Sequence, residues 1–385
     1  MIKISDRSSC CGCTACKNIC PKDAISMEPD KMGFLYPIVD SSKCVDCGLC
    51  EKVCAFNASY DKSKNLSTPY FYAVRHKDIN EVSTSRSGAA FIALSDWILD
   101  KGGVVYGAGY VDHFRVAHKR AETKAQRNEF KGSKYVQSDL NDTFKQIKKD
   151  LLNGKWVLFS GTPCQTSGLS SYIGPKLRSN LFLVDIVCHG VPSPYIWRDY
   201  LKYTENKRGE NAIAVDFRDK TELGWAAHKE SFTFPSGKEY RKTYTYLFYE
   251  HIMFRPSCKV CYFANFNRPS DLTLADFWGW QNADINLNSD DKGISLLICN
   301  TDKGKQLFDN VIDSVKIMSV EQEKCIQPNL QNPSIFNSNY VQFEKDYIER
   351  GFKYIARKYG DLGMNYLFKR LKQKSRTAIR LLLKK

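Results

Sequence analysis

Cys10, Cys13, Cys16 and Cys20 form a C-x2-C-x2-C-x3-C run that closes on Pro21. The run returns about 34 residues later as Cys44, Cys47, Cys50 and Cys54, closing on Ala55 instead of proline. Three thiolates this close together wrap three corners of one iron-sulfur cubane, while the fourth cysteine of each run reaches across to the other cluster. Cys10, Cys13, Cys16 and Cys54 are therefore assigned to one [4Fe-4S] cluster, and Cys44, Cys47, Cys50 and Cys20 to a second. Two zinc sites are the competing reading, but structural zinc needs four ligands and rarely two complete four-cysteine runs. Cys11 is an additional thiol beside a ligand and could exchange roles with Cys10.

The elements that must position these residues divide the chain into four parts. Residues 1–60 form a two-cluster module of the ferredoxin-like α+β type, and the polar stretch 61–69 reads as a linker. Residues 70–330 have the composition of an α/β domain with a mainly parallel sheet, and 331–385 a helical, basic tail. Ala89 to Asp100 has helical spacing, and Gly103 to Tyr110 reads as a buried strand. Asn141 is placed to cap a helix running to Asn153, followed by a strand at Trp156 to Phe159. Ser160 to Gln165 then reads as a loop, Thr166 to Tyr172 as a short helix and Leu181 to Val187 as a strand. This is a strand-helix-strand crossover, which favours neighbouring parallel strands.

That topology sends Cys164 and Cys188 to the carboxyl ends of adjacent strands, the sheet edge where α/β domains place ligands. Cys258-x2-Cys261 lies in a loop opened by Arg255 and Pro256 and leading to Leu272–Ala275, a strand that ends at the same edge if it is parallel. Cys164, Cys188, Cys258 and Cys261 are thus expected to bind a third [4Fe-4S] cluster. A redox dithiol or half a zinc site is the alternative for the C-x2-C pair. Cys299 and Cys325 read as inert buried or loop thiols.

Several short stretches, in order, resemble the beta subunits of coenzyme F-420 hydrogenases and dehydrogenases, including bacterial relatives that join a ferredoxin module to that domain. They are Ser85-Arg86-Ser87-Gly88, Gly132-Ser133-Lys134-Tyr135, Gly161-Thr162-Pro163-Cys164-Gln165, Cys188 to Ser193, Cys258-x2-Cys261 and Asp276-Phe277-Trp278-Gly279. The resemblance implies an oxidoreductase with FAD, passing electrons between iron-sulfur clusters and a soluble substrate, coenzyme F-420 or another conjugated molecule. It marks Ser85, Arg86, Ser87, Gly88, Lys134, Tyr135, Asp276, Trp278 and Gly279 for the flavin. Alanine stands at 89 and 275, where glycine is usual. His189 is a candidate proton donor. A pure electron-wiring subunit, whose substrate chemistry occurs on another polypeptide, is the alternative function.

The totals set limits on these readings. Fifteen cysteines, nine of them before Asn57, suit metal ligation in a reducing compartment. No run approaches the roughly 18–20 apolar residues of a membrane span, and the start lacks an apolar signal core, so a cytoplasmic protein is expected. The formal charge of +15 points to an anionic partner. An electron donor or acceptor protein, ferredoxin-like or a catalytic subunit, is expected, and nucleic acid is not, since no nucleic-acid module is present. From Met364 to Lys385 there is no acidic residue, and Leu367, Leu371, Ala378 and Leu382 fall near one helical face. Such a tail is expected to make peripheral contact with the anionic inner membrane face or to dock on an acidic partner, a solvated terminal helix packed on its own domain being the alternative.

Overall fold

The computed structural model describes residues 1–57, 64–364 and 366. The cysteine-rich region is built from two short helices, α1 (Ala15–Ile19) and α2 (Leu49–Lys52), around an antiparallel hairpin, β1 (Ile25–Pro29) and β2 (Leu35–Val39). Left-handed residues shape the ligand loops: Gly12 at φ 70°, Thr14 at 61° and Gly48 at 71° bend the chain so that successive cysteines turn inward.

The main body begins at β3 (Asn65–His76), so the second half of the stretch expected as a linker is strand. After α3 (Ile79–Thr84) and α4 (Ala90–Asp100) come β4 (Val104–Val111), β5 (Arg115–Ala121), α5 (Lys124–Asn128), α6 (Thr143–Leu152), β6 (Val157–Gly161), α7 (Pro163–Ile173) and β7 (Leu181–Ile186). The helix α8 (Pro194–Arg208) leads to a small antiparallel sheet of β8 (Ala214–Asp216), β9 (Glu230–Phe234) and β10 (Gly237–Arg241), followed by α9 (Thr243–Tyr249). The chain then adds β11 (Leu272–Asp276), β12 (Ser295–Thr301), α10 (Asp302–Asp309), β13 (Val315–Ser319) and α11 (Tyr340–Lys358).

The large sheet has the order β13-β3-β12-β11-β7-β6-β4-β5. Its centre is parallel, β4 to β6 to β7 to β11, as the crossover argument requires. Both flanks are antiparallel, so the sheet is mixed. The reason lies in the connections: β4 and β5 share a tight turn at Asp112–Phe114, and the segment joining β11 to β12 carries only a short 3-10 turn where a parallel return would need a crossover.

Two local expectations change. Asn141 does not cap α6; its side chain accepts from Lys17 and its carbonyl from Asn18, tying the cysteine-rich module to the main body. The helix α7 begins three residues earlier than its apolar spacing indicates. Thr162 and Gln165 close a capping box and Pro163 occupies the first turn, so Cys164 belongs to a helix start. The region expected to be a helical tail contains α11, broken at Gly351 (φ 73°). Of the acid-free segment from Met364 only Met364 and Tyr366 are among the described residues; Leu367, Leu371, Ala378 and Leu382 lie outside them. Among the described residues no helix is long and apolar enough to cross a membrane.

Candidate redox centre

The cysteines gather in three neighbouring groups. The thiol of Cys16 lies within electrostatic reach of Cys10, Cys13 and Cys54, and that of Cys10 within reach of Cys13 and Cys54. Cys20, Cys44, Cys47 and Cys50 line one small cavity with Ile25, Val39 and Leu49. Cys54 neighbours Cys50, so the two groups adjoin. Farther in, Cys258 faces Cys188, Cys164 and Cys261. Cys164 stands in the first turn of α7, Cys188 just past β7, and Cys258 and Cys261 on and after the 3-10 turn Pro256–Val260. Because β11 is parallel to β7, the strand ends meet at one edge, as predicted.

Backbone N-H groups aim at sulfur in each group: Gly12 at Cys10 (3.4 Å), Ile2 at Cys50 (3.2 Å), Ala24 at Cys20 (3.3 Å) and Val191 at Cys258 (3.3 Å). Such donors stabilise thiolates and tune clusters. Burial drives the Cys188 thiol up to about 12 and Cys261 up to about 11, with like-charged Cys164 adding to each. As free thiols they would be neutral at neutral pH. Among the described residues no three His, Cys, Asp or Glu side chains close on a point as a single ion requires. The donor set, four sulfurs per group without His or carboxylate, fits a cubane, whose ligands stand at separate corners. The Cys11 thiol lies beside both Cys13 and Cys164, between the first group and the third. Cys299 and Cys325 are fully buried in apolar surroundings away from all three.

A cavity of about 340 Å³ opens beside the third group, and Cys164 and Cys188 form part of its wall. Ser85, Arg86 and Ser87 line it from the turn between α3 and α4, Lys134 and Tyr135 from the segment after α5, and Asp276 and Trp278 from the end of β11. The turn is pinned where Ser87 Oγ donates to the Ile294 carbonyl at 2.6 Å and Arg86 donates to the carbonyls of Arg218 and Trp225. Among the described residues Ser85 Oγ, Arg86 Nε and Arg218 Nε are buried with no hydrogen-bond partner, which leaves donors for a bound polar group.

Gly88 and Gly279 do not line the cavity. A side chain at Gly88 would strike the Val74 carbonyl at 2.2 Å, so this glycine permits close backbone packing. Ala89 takes the left-handed conformation that glycine adopts freely, φ 62°, at a strain of about 1–2 kcal/mol.

The cavity is electropositive. Asp276 pairs with Arg218 at 2.5 Å and faces Arg86 at 3.9 Å, so one carboxylate answers two guanidiniums. Lys134 donates to the carbonyls of Glu129 (2.9 Å) and Lys131 (2.8 Å), and desolvation pulls its pKa down to about 7. His189 stacks on Phe248 and meets Tyr249 and His251 edge-on. Burial, with His251 and Arg218 nearby, lowers it to about 4, so at neutral pH it is an acceptor before it is a donor. His118, which lines the cavity and bonds Ser160 and Ser138, is held down to about 4 by burial. Sequence reading missed His118, Arg218 and Tyr249, because none sits in a spaced motif and tertiary packing brings them here.

Fold and cysteine groups define an iron-sulfur electron-transfer protein. Residues 9–58 match the 4Fe-4S dicluster domain, and residues 154–324 match the family model for the C terminus of the Coenzyme F420 hydrogenase/dehydrogenase beta subunit. Residues 154–324 thus carry the C-terminal part of that beta-subunit family, behind a dicluster domain at the N-terminus. A chain of the xenon-derivatised F420-reducing [NiFe] hydrogenase complex from Methanosarcina barkeri is 16% identical, with a TM-score of 0.48 over 78% of this chain and 95% of its own. No curated protein matches this chain.

Proposed function

We propose that this protein is an iron-sulfur flavoprotein oxidoreductase, relaying electrons between two clusters in a ferredoxin-like module, a third cluster at Cys164, Cys188, Cys258 and Cys261, and FAD in the adjoining cavity. The observation that carries the reading is the shared wall: Cys164 and Cys188 border the same cavity as Ser85–Ser87, Lys134, Tyr135, Asp276 and Trp278. Bound FAD supplies the exchange between one-electron clusters and a two-electron substrate. The unpartnered donors of Ser85, Arg86 and Arg218 suit its polar groups, Lys134 its diphosphate, and Trp278 an aromatic ring face. Neutral His189 is placed to accept a proton from a substrate at the cavity, a soluble conjugated molecule such as coenzyme F-420. The partner is a donor or acceptor protein at the exposed Cys47 end of the module.

Anaerobic protein is expected to hold about twelve irons per chain with extractable FAD, and Cys188→Ala and Cys258→Ala each to lose about four irons with the N-terminal signals intact. Full iron retention in both variants sinks the third cluster. Iron-replete protein that neither contains nor takes up flavin sinks the flavoprotein reading.

A further inference from the structure

Three arginines are among the largest fully buried side chains: Arg127, Arg255 and Arg268. Arg127 pairs with Asp96 at 2.6 Å and Arg268 with Asp185 at 2.9 Å. Among the described residues no carboxylate pairs with Arg255. Its guanidinium instead spends its donors on uncharged acceptors. Nε donates to the Cys10 carbonyl at 2.7 Å, Nη1 to Gln137 Oε1 at 2.9 Å and Nη2 to the Leu35 carbonyl at 2.9 Å. The Tyr36 ring lies 4.2 Å from its centre and the Phe34 ring 5.5 Å. A buried cation is kept only where something compensates its charge. The remaining contact of Nη2 is the sulfur of Cys10, at 3.6 Å.

We infer that Arg255 is the counter-charge of the cluster bound by Cys10, Cys13, Cys16 and Cys54, raising that cluster's reduction potential while clamping the N-terminal module to the main body. The inference rests on the reading of those cysteines as [4Fe-4S] ligands. A cluster with four thiolate ligands is anionic and becomes more so when reduced, so a fixed cation beside it favours the reduced form. The step concerned is the one-electron reduction of that cluster by a low-potential one-electron donor, with no bond made or broken and the guanidinium protonated throughout.

The geometry is specific to this residue. Gly12, at φ 70°, leaves the space the guanidinium fills: a Cβ there would stand 2.9 Å from Arg255 Nη1 and 2.6 Å from Gln137 Nε2. The backbone of Arg255 also positions the third group, its N-H donating to the Val191 carbonyl at 2.8 Å and its carbonyl accepting from Cys258 N-H at 2.9 Å. One residue thus touches a ligand of the first group with its side chain and fixes the loop of the third with its main chain. The cluster it favours stands between the other two, where electrons cross from module to main body.

The test is an EPR-monitored redox titration of the full-length, iron-replete protein, with Arg255→Gln and Arg255→Lys beside wild type. In Arg255→Gln, one midpoint is expected to fall by at least about 59 mV, a tenfold shift of the one-electron couple, with iron content unchanged. Arg255→Lys, which keeps the charge, is expected to retain most of the wild-type value. With 15N-arginine labelling, pulsed EPR of the reduced wild type is expected to show an arginine nitrogen coupling that Arg255→Lys loses. Intact clusters with unmoved midpoints in Arg255→Gln overturn the inference. Should that variant fail to fold, absence of the label coupling in wild type overturns it equally. Wild-type protein lacking any N-terminal [4Fe-4S] signal removes the parent reading and this one with it, whereas present but unshifted clusters remove this inference alone.

Discussion

If FAD binds against Lys134 as proposed, its binding is expected to be a proton-uptake reaction. Its ammonium donates to the carbonyls of Glu129 and Lys131 and lies 5.5 Å from the Tyr110 ring. Desolvation is the largest influence on it; Asp216 and Glu129 pull the other way and Lys119 adds to the lowering, leaving the pKa at about 7. A diphosphate brought against it restores the charged form, returning the pKa toward the ordinary lysine value of about 10. The sign follows from linkage. Below pH 7 the lysine is charged before and after binding; above it, binding must draw a proton from solvent, so affinity falls as pH rises. With about 7 in the free protein and the ordinary lysine value of about 10 regained in full, the dissociation constant increases roughly 70-fold between pH 6.5 and 9, and about 0.9 proton is taken up at pH 8. The folded apoprotein moves oppositely: its depressed lysine disfavours folding below pH 7, and that penalty is relieved between pH 7 and the unfolded-chain value near 10.4. The assay is anaerobic titration calorimetry of FAD into flavin-stripped protein, in buffers of different ionisation enthalpy. His189, His228 and His118, all held down to about 4, are silent in this range. Lys220, also drawn to about 7, donates to the Val82 and Lys292 carbonyls and does not line the cavity, so Lys134→Met separates the two. That variant is expected to bind FAD weakly and with a flat pH profile. Tight binding by wild type without pH dependence or proton uptake refutes the argument.

Two further outcomes concern stability. Asp185→Ala removes the only carboxylate that Arg268 pairs with among the described residues, at a site where both are buried, and should cost about 3–5 kcal/mol, visible as a lowered denaturation midpoint; an unchanged midpoint would contradict it. Gly168 lies in α7 against the N-terminal module, where an added Cβ would meet Cys13 Sγ at 2.7 Å. In Gly168→Ala, overpacking of about 1–3 kcal/mol outweighs a helix-propensity gain of about 1 kcal/mol. The iron beside Cys13 should then be the first lost to a chelator, and chelation at wild-type rate would show that the helices accommodate the methyl group.

The dicluster domain was legible from the duplicated cysteine runs by themselves, because ligand spacing within a run is local. The crossover between β6 and β7 was equally legible: a helix between two apolar strands leaves little choice but parallel neighbours, and Cys164 and Cys188 follow to one edge. Cys258 and Cys261 were a conditional case: they precede β11, so its direction does not place them, and the Pro192–Phe254 bridge with the Arg255 N-H to the Val191 carbonyl and the Val191 N-H to Cys258 Sγ holds their loop against the segment after β7. The antiparallel flanks lay beyond local pattern, because both strand directions present the same apolar run and only the connections and edge partners distinguish them. Ser85–Ser87, Lys134 and Asp276 could be marked as words, but the pairing of Asp276 with Arg218, and the neutral state of His189, arise from packing among segments far apart in the chain. The same holds for Arg255. In the sequence it is a basic residue before a proline; only burial without a carboxylate, beside Cys10 from the other end of the chain, gives its charge a purpose.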